Sequence, residues 1–547
     1  MQNTQQTLLG KYAPLLIASV LAALCIVYYH VRITHANNGM FVYTIDDPYI
    51  HASMARNLAQ HGTWGISPNA ISSASSSPMW VLLLSVIYLV TDSQLIPYAV
   101  NIVLAFVLLF VVHRYFLQHG LTPIARTLGL VLLWFATPLP GLIFTGMEHI
   151  LHIILTVLLL HTAVTTIATN NFSRNSIIHL VILCLLNSAI RPEGILLSGI
   201  VAGVVLLSRR WSTSILLLLA SVAPMVIFGL WSITHDELFF PNSVIVKSLD
   251  NMHAQQNISG LRALFPRLGA AITLLRRYEE VLWCLQLTTV IFSISLWKQF
   301  QLTRTIHFKT FLSNAQVLTF GFVLSSVLAH ITVSDAGWFF RYEAYLIALC
   351  IISGFTFVVQ WLSTIKLPIK PVVAYSIASA LCIILCFPIA SRSLQAARQL
   401  VPYSQMVYQK QIQTARFLST YYNNKPVGVT DIGAVSYFTT AQLTDFYGLG
   451  SAVVARHKKN HTWSAEVVKH MAIQQQWQCA FTYEELQREF IPTSWLPVAT
   501  LTIDAGLFAD QSTLTFYAPQ PQYEQQLRNN LQAFSATVPH GVTITLK

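Results

Sequence analysis

The chain has 547 residues, 54% of them hydrophobic and 10% charged, with a positive mean hydropathy, so lipid must be the solvent for most of its length. A formal charge of +11 would fit a nucleic-acid binder only if the Lys and Arg residues shared one face. They are scattered in small groups between apolar runs instead, which excludes that class and marks most of them as orientation signals. Of the 7 cysteines, only Cys479 falls in a polar region, so neither a disulfide scaffold nor a metal framework is expected.

The first apolar run, from about Tyr12 to Ile33, follows Lys11 and is long enough to span a bilayer as an uncleaved signal anchor. Further spanning runs are expected at roughly 95 to 113, 127 to 144, 149 to 168, 177 to 190, 193 to 208, 213 to 233, 281 to 297, 314 to 333, 339 to 362 and 371 to 390. That makes about eleven transmembrane helices in residues 1 to 390. The first outer loop, 34 to 94, carries amphipathic helices. Within it Met79 to Val90 is too short to cross and follows the polar cluster Ser72 to Ser77, so it is expected to be interfacial or re-entrant. Residues 391 to 547 are polar and turn-rich, with mixed helix and strand patterns, and are read as a soluble α/β domain outside the membrane.

With the N-terminus inside, every inner connection carries Lys or Arg, as the positive-inside rule requires: Lys11, Arg114 with Arg126, Arg174, Arg209 with Arg210, Lys298 with Arg304 and Lys309, then Lys366 with Lys370. The unusual polar motifs then all face outward. First come Asp46 and Asp47. Pro48 is favoured in a first helical turn, which makes Asp47 the expected N-cap of the segment Pro48 to Gln60. Asp46 becomes the better candidate for a free carboxylate aimed into a cavity, against the plainer reading of a solvated loop acid. Ile50, Met54 and Leu58 form an apolar stripe on the following helix, which is expected to lie on the membrane face. Arg56 on that helix either holds an anionic substrate group or contacts lipid phosphate.

Glu148 and Glu193 each stand at an outer helix start, where a cap is the ordinary role and substrate binding the alternative. Arg191, between two short spans, needs an anionic partner. Lys247, after a Pro-Asn turn, and Arg341, followed by Tyr342, bring two more cations to the same face. Together Arg191, Lys247 and Arg341 make a candidate phosphate clamp. An acid that takes a proton from a sugar hydroxyl, beside cations that stabilise a departing phosphate, describes glycosyl transfer from a lipid-linked sugar phosphate.

These motifs resemble those of the GT-C fold membrane glycosyltransferases, and most of all the terminal arabinofuranosyltransferase family of bacterial cell-wall synthesis. The resemblance is carried by Asp46-Asp47-Pro-Tyr-Ile, Ala55-Arg56-Asn57-Leu58, Ser76-Ser-Pro-Met-Trp80, Thr145-Gly-Met-Glu148, Arg191-Pro-Glu-Gly194, Pro241-Asn-Ser with Lys247, Arg341-Tyr342, Asp431-Ile-Gly-Ala-Val-Ser-Tyr437 and Asp445-Phe-Tyr-Gly-Leu449. It implies an inverting transferase with Asp46 or Asp47 as general base and with Arg191, Lys247 and Arg341 on the donor phosphate. Arg56, Glu148, Glu193 and Tyr342 are expected to bind substrate. The implied partners are a polyprenyl-phosphate sugar, for which the resemblance favours a pentofuranose such as arabinofuranose, and an envelope glycan or lipid acceptor at the outer face of a bacterial cytoplasmic membrane. No cofactor is expected, and no ligand cluster for a divalent metal is visible. Two departures, the serine-rich first loop and the short C-terminal region, bear on the acceptor and the sugar. The competing class is a flippase or transporter of an anionic or sugar-linked lipid. Such a protein would place ionisable residues near mid-membrane and usually shows repeated halves, whereas here they cluster at one face and no repeat is visible.

Overall fold

The protein is described by a computed structural model covering residues 8–247, 273–275, 278–303, 308–334, 336–364, 371–483, 487–504 and 513–547. Of the cations expected on the inner side, Arg304, Lys366 and Lys370 lie outside the described residues.

Ten helices come first: α1 (Leu8–Ala36), α2 (Asp47–His61), α3 (Pro78–Tyr88), α4 (Ile96–Gln118), α5 (Pro123–Ala136), α6 (Leu139–Phe144), α7 (His149–Ala168), α8 (Arg174–Ile190), α9 (Glu193–Leu207) and α10 (Trp211–Thr234). Five more follow: α11 (Glu279–Thr303), α12 (Phe308–Ser313), α13 (Ala315–Val333), α14 (Ala344–Thr364) and α15 (Pro371–Val407). Among the described residues, 7 helices are long and apolar enough to cross a membrane, and α3, α5, α8 and α9 are shorter apolar helices. Outward side chains such as Leu16, Leu24, Val103 and Ile227 are exposed, as lipid-facing groups should be. The protein is therefore a multi-pass α-helical membrane protein.

The run 127 to 144, expected as one span, is two helices. Pro138 and Pro140 remove backbone donors and crowd the preceding turn, so α5 stops at Ala136 and α6 restarts at Leu139. The amphipathic expectation for α2 also fails. Residues Pro48 to Ala55 and Asn57 are all buried, because α3 covers one side of the helix and the C-terminal region covers the other. Gly62, at φ 68°, ends α2 in the left-handed conformation with its N–H on Leu58 O. The serine cluster is buried as well. Ser77 Oγ donates to Ile190 O at 2.7 Å, and Asn242 N–H donates to Ser73 O at 2.9 Å, so the loop is a packing element between helices.

Helix α15 runs through residue 390 and passes into a π-helical turn, Tyr408–Ile412, and then α16 (Gln413–Tyr421). Beyond it a six-stranded mixed sheet forms from β1 (Pro426–Val429), β2 (Gln442–Asp445), β3 (Cys479–Thr482), β4 (Leu496–Ile503), β5 (Thr513–Ala518) and β6 (Val542–Leu546) in the order β2-β1-β3-β5-β4-β6. The β2-β1-β3 pairs are parallel and the others antiparallel. Cys479 lies buried in β3. This region is seated on the helical one: Ser53 Oγ, on α2, donates to Ser436 O at 3.0 Å, and within the helical region Ser404 Oγ of α15 donates to Val42 O at 2.7 Å.

Candidate active site

The two acids point different ways. Asp47 is the first residue of α2, and its carboxylate accepts from Arg341 Nη2 at 2.5 Å, with Lys247 Nζ at 3.9 Å. Arg341 is presented by the turn before α14, in which Trp338, Phe339 and Phe340 all have φ between 42° and 61°. Three successive left-handed non-glycine residues are costly, and the turn is held by Glu343, which accepts the Gly337 N–H at 2.8 Å and pairs with Arg392 at 2.5 Å. Burial raises the Asp47 pKa, but the charges of Lys247 and Arg341 outweigh it and hold the carboxyl well below the usual range. Asp47 is therefore ionised. Arg341 is 2% exposed, and among the described residues its Nε and Nη1 meet no hydrogen-bond partner. Two orphan donors on a buried guanidinium are expensive unless a ligand takes them.

Arg191 has what it needs already. Its Nη1 donates to Glu148 at 2.8 Å and its Nη2 to Glu193 at 2.7 Å, and His149 Nε2 accepts from Nη1 at 3.1 Å. The expected anionic partner is thus two carboxylates of the chain itself, and Arg191 brings no spare charge to a phosphate clamp. Glu148 occupies the N-cap position of α7 without a side-chain capping bond, so its ion pair replaces the expected cap. The ring of Tyr342 lies 5.5 Å from the Arg191 guanidinium and 5.2 Å from that of Arg341, which joins the two clusters. Gly146, at φ 65°, allows the turn before Glu148 to pass against α2: a Cβ there would meet Tyr43 at 2.6 Å and Pro48 at 2.9 Å.

Asp46 is not free, and here the expectation is reversed. It sits in the N-cap position of α2 and makes no capping bond there. Its carboxylate instead accepts the N–H of Gly433 at 2.7 Å and of Ala434 at 2.8 Å, at the start of helix α17 (Gly433–Phe438) in the C-terminal region. Asp46, Asp431, Lys410 and Tyr483 line a small enclosed space. The Tyr483 hydroxyl donates to Asp431, and Lys410 Nζ lies 4.5 Å from the centre of the Tyr483 ring. Burial, aided by the Asp431 charge, pushes Asp46 up to about 7 against the pull of the two N–H groups. Burial also lowers Lys410, while Asp431 and Asp46 draw it back up. Arg56 belongs to this junction too: Nη2 donates to Tyr437 O at 2.8 Å and the guanidinium stacks 4.3 Å over the Tyr437 ring. Both contacts tie α2 to the C-terminal region.

His51 is a site residue that the sequence reading passed over. It lies one turn after Asp47, at the i+4 spacing that puts both on one helix face. Its Nδ1 is 3.1 Å from Ser75 Oγ, and burial lowers its pKa despite the nearby Glu148 and Asp47 charges, so the ring is neutral. Among the described residues there is no group of three or more His, Cys, Asp or Glu side chains that could hold a metal ion.

A family model described as "Domain of unknown function (DUF8728)" matches residues 401–517, which is part of the C-terminal region. No curated protein matches the chain. Among solved structures, the chain is similar to the archaeal oligosaccharyltransferase AglB from Archaeoglobus fulgidus, in complex with an inhibitory peptide and a dolichol-phosphate. The TM-score is 0.51 at 12% identity, over 98% of this chain and 76% of that one. It is also similar to ArnT from Cupriavidus metallidurans bound to undecaprenyl phosphate, at TM-score 0.48 and 12% identity, over 92% of this chain and 98% of that one. At this identity the AglB likeness shows the fold: a polytopic helical membrane protein of the GT-C type with a C-terminal sheet-containing region.

Proposed function

We propose that the protein is an inverting glycosyltransferase that moves a sugar from a polyprenyl phosphate to an envelope glycan or lipid at the outer face of the cytoplasmic membrane. The observation that carries this reading is the Asp47–Arg341 pair, a partly exposed carboxylate and a buried guanidinium with two donors unmet among the described residues, on a fold shared with an oligosaccharyltransferase described in complex with a dolichol-phosphate. A pentofuranose is the donor sugar that the motif resemblance favours.

Asp47 acts as the base only after it is released from its cations. In the unliganded state Arg341 and Lys247 hold its charge, which makes it a poor proton acceptor. An arriving donor phosphate competes for the same donors, first for the unmet Nε and Nη1 of Arg341 and then for Lys247, whose side chain is 42% exposed. As the phosphate takes them, the Asp47 carboxylate regains basicity. It then removes the proton from the acceptor hydroxyl, whose oxygen attacks the anomeric carbon. The carbon–oxygen bond to phosphate breaks, its electron pair leaves with the polyprenyl phosphate, and Arg341 and Lys247 stabilise the charge that develops. One displacement inverts the anomeric centre. The Arg191–Glu148–Glu193 cluster holds the floor of the site through Tyr342 and does not take the phosphate.

The test is transfer from a panel of labelled polyprenyl-phosphate sugars to a crude envelope-glycan acceptor by purified protein in vesicles. Labelled glycan that appears with wild type and falls in Arg341→Gln supports the reading. Exchange of the donor between leaflets with no transfer from any of them replaces it with a flippase.

A further inference from the structure

A second cavity lies at the opposite end of the helix bundle from Asp47. Helix α7 starts at His149, beside Arg191, and α14 starts at Ala344, just after Arg341, so their C-terminal ends lie far from the site. The ends of α4, α7 and α14 and the start of α13 enclose about 220 Å³. The floor, Ser353, Thr356, Phe320 and Phe357, is buried, while Thr165 and Gln360 at the mouth are exposed. The space holds several waters at about 30 Å³ each but is smaller than the roughly 300 Å³ at which drug-sized sites begin. It has room for one ring or one short headgroup.

We propose that this cavity binds the uncharged, hydroxyl-bearing headgroup of a membrane lipid, such as a sugar carried on a diacylglycerol. The hydrogen-bonding state of its wall selects that chemistry. Ser353 donates its proton to Leu349 O at 2.5 Å, Thr356 to Ile352 O at 2.7 Å and Thr319 to Ala315 O at 2.8 Å. Each hydroxyl has spent its proton on its own helix and offers lone pairs to the cavity. His119 Nδ1 is 2.8 Å from Tyr115 O, and because a carbonyl only accepts, the proton is on Nδ1 and Nε2 is left as an acceptor. Beside these acceptors stand the side-chain amides of Gln316 and Gln360, the latter donating Nε2 to His119 O at 2.9 Å, a mixture that suits hydroxyls, which both donate and accept. Among the described residues no Asp, Glu, Lys or Arg lines the cavity, so an ionic ligand would enter unpaired. The Tyr115 ring, tilted 4.0 Å from His119 and edge-on to His161 at 5.6 Å, adds an aromatic wall against which the C–H groups of a sugar can pack.

The experiment uses the full chain in phosphatidylcholine nanodiscs with a photoactivatable monoglucosyl diacylglycerol, followed by mapping of the labelled peptides. The expected result is labelling at the ends of α7 and α14 and the start of α13, reduced about tenfold in the pair Thr319→Val with Thr356→Val, as the loss of two hydrogen bonds predicts. Thr165→Val, at the exposed mouth of the cavity, should reduce it severalfold with an unchanged melting temperature. Free glucose that competes in excess identifies the headgroup alone as sufficient, and glucose that does not compete assigns the site to the lipid; both support hydroxyl recognition. Labelling that neither variant changes, or equal labelling of these peptides by phosphatidylethanolamine or phosphatidylglycerol probes, overturns the proposal.

Discussion

Asp46 and Asp47 are neighbours in the chain and opposites in the fold. The Asp47 carboxylate faces an open, cationic cluster in which Arg341 still has unmet donors. Asp46 faces a junction where the first turn of α17 supplies both of its hydrogen bonds. One side carries unmet donors among the described residues, and the other is tied by backbone hydrogen bonds. The difference shows how a two-residue motif can divide its work: one acid is kept available for chemistry while the next fastens the helix that carries it to a separate region of the protein.

The strongest way to break this division is at Arg341. Arg341→Gln removes the guanidinium that both holds Asp47 and offers the unmet donors, and it should weaken donor binding by about 100-fold, the worth of a lost charge-assisted hydrogen bond with an uncompensated buried charge. Donor titration against transfer rate measures it; an unchanged donor KM would remove Arg341 from the phosphate site. Next is Gly433→Ala. A Cβ there would stand 2.2 Å from the Asp46 backbone oxygen and 2.5 Å from its Cγ, so the backbone must shift, at a cost of about 2 kcal/mol. A lowered melting temperature and faster proteolysis between the two regions are expected, while Gly199→Ala, which meets nothing within 4 Å, should leave both unchanged.

A smaller effect concerns pH. Because Asp46 is raised to about 7 in the fold from 3.8, the folded state keeps a proton that the unfolded chain has released across that window. Stability therefore falls as pH rises from about 4 to about 7, and Asp46→Asn should flatten this slope in melting curves. A slope that the variant leaves intact would assign the effect to another group, such as Asp445, which burial raises to about 6. The smallest change is expected for Arg56→Lys, which keeps the charge but loses the stacked, planar contact with Tyr437, worth about 0.5–1 kcal/mol. Transfer should be unaltered, and a variant that lost transfer while folded would return Arg56 to the substrate.

The apolar runs, the paired acids and the cations were legible in the sequence because lipid imposes a simple pattern and charge near it stands out. The direction of each acid was not. It is decided by Gly433, Ala434 and Arg341, which lie about 300 to 400 residues away in the chain and carry no local signal. The Arg191 partners were closer to hand, since Glu193 lies two residues on, but a carboxylate at a helix start reads equally well as a cap. The burial of α2 was hidden for the same reason as the role of Arg56: an amphipathic stripe shows one buried face, and only the C-terminal region supplies the second cover. Lys410, Asp431 and Tyr483 form a polar cluster that no sequence spacing announces.

The most direct measurement compares Asp46→Asn and Asp47→Asn in the same vesicles, each below its own melting temperature, with the best labelled donor. Transfer is expected to fall by about 100-fold or more in Asp47→Asn, as for loss of a general base, and to stay within about tenfold of wild type in Asp46→Asn. Transfer that survives in Asp47→Asn and disappears in folded Asp46→Asn would contradict Asp47 as the base.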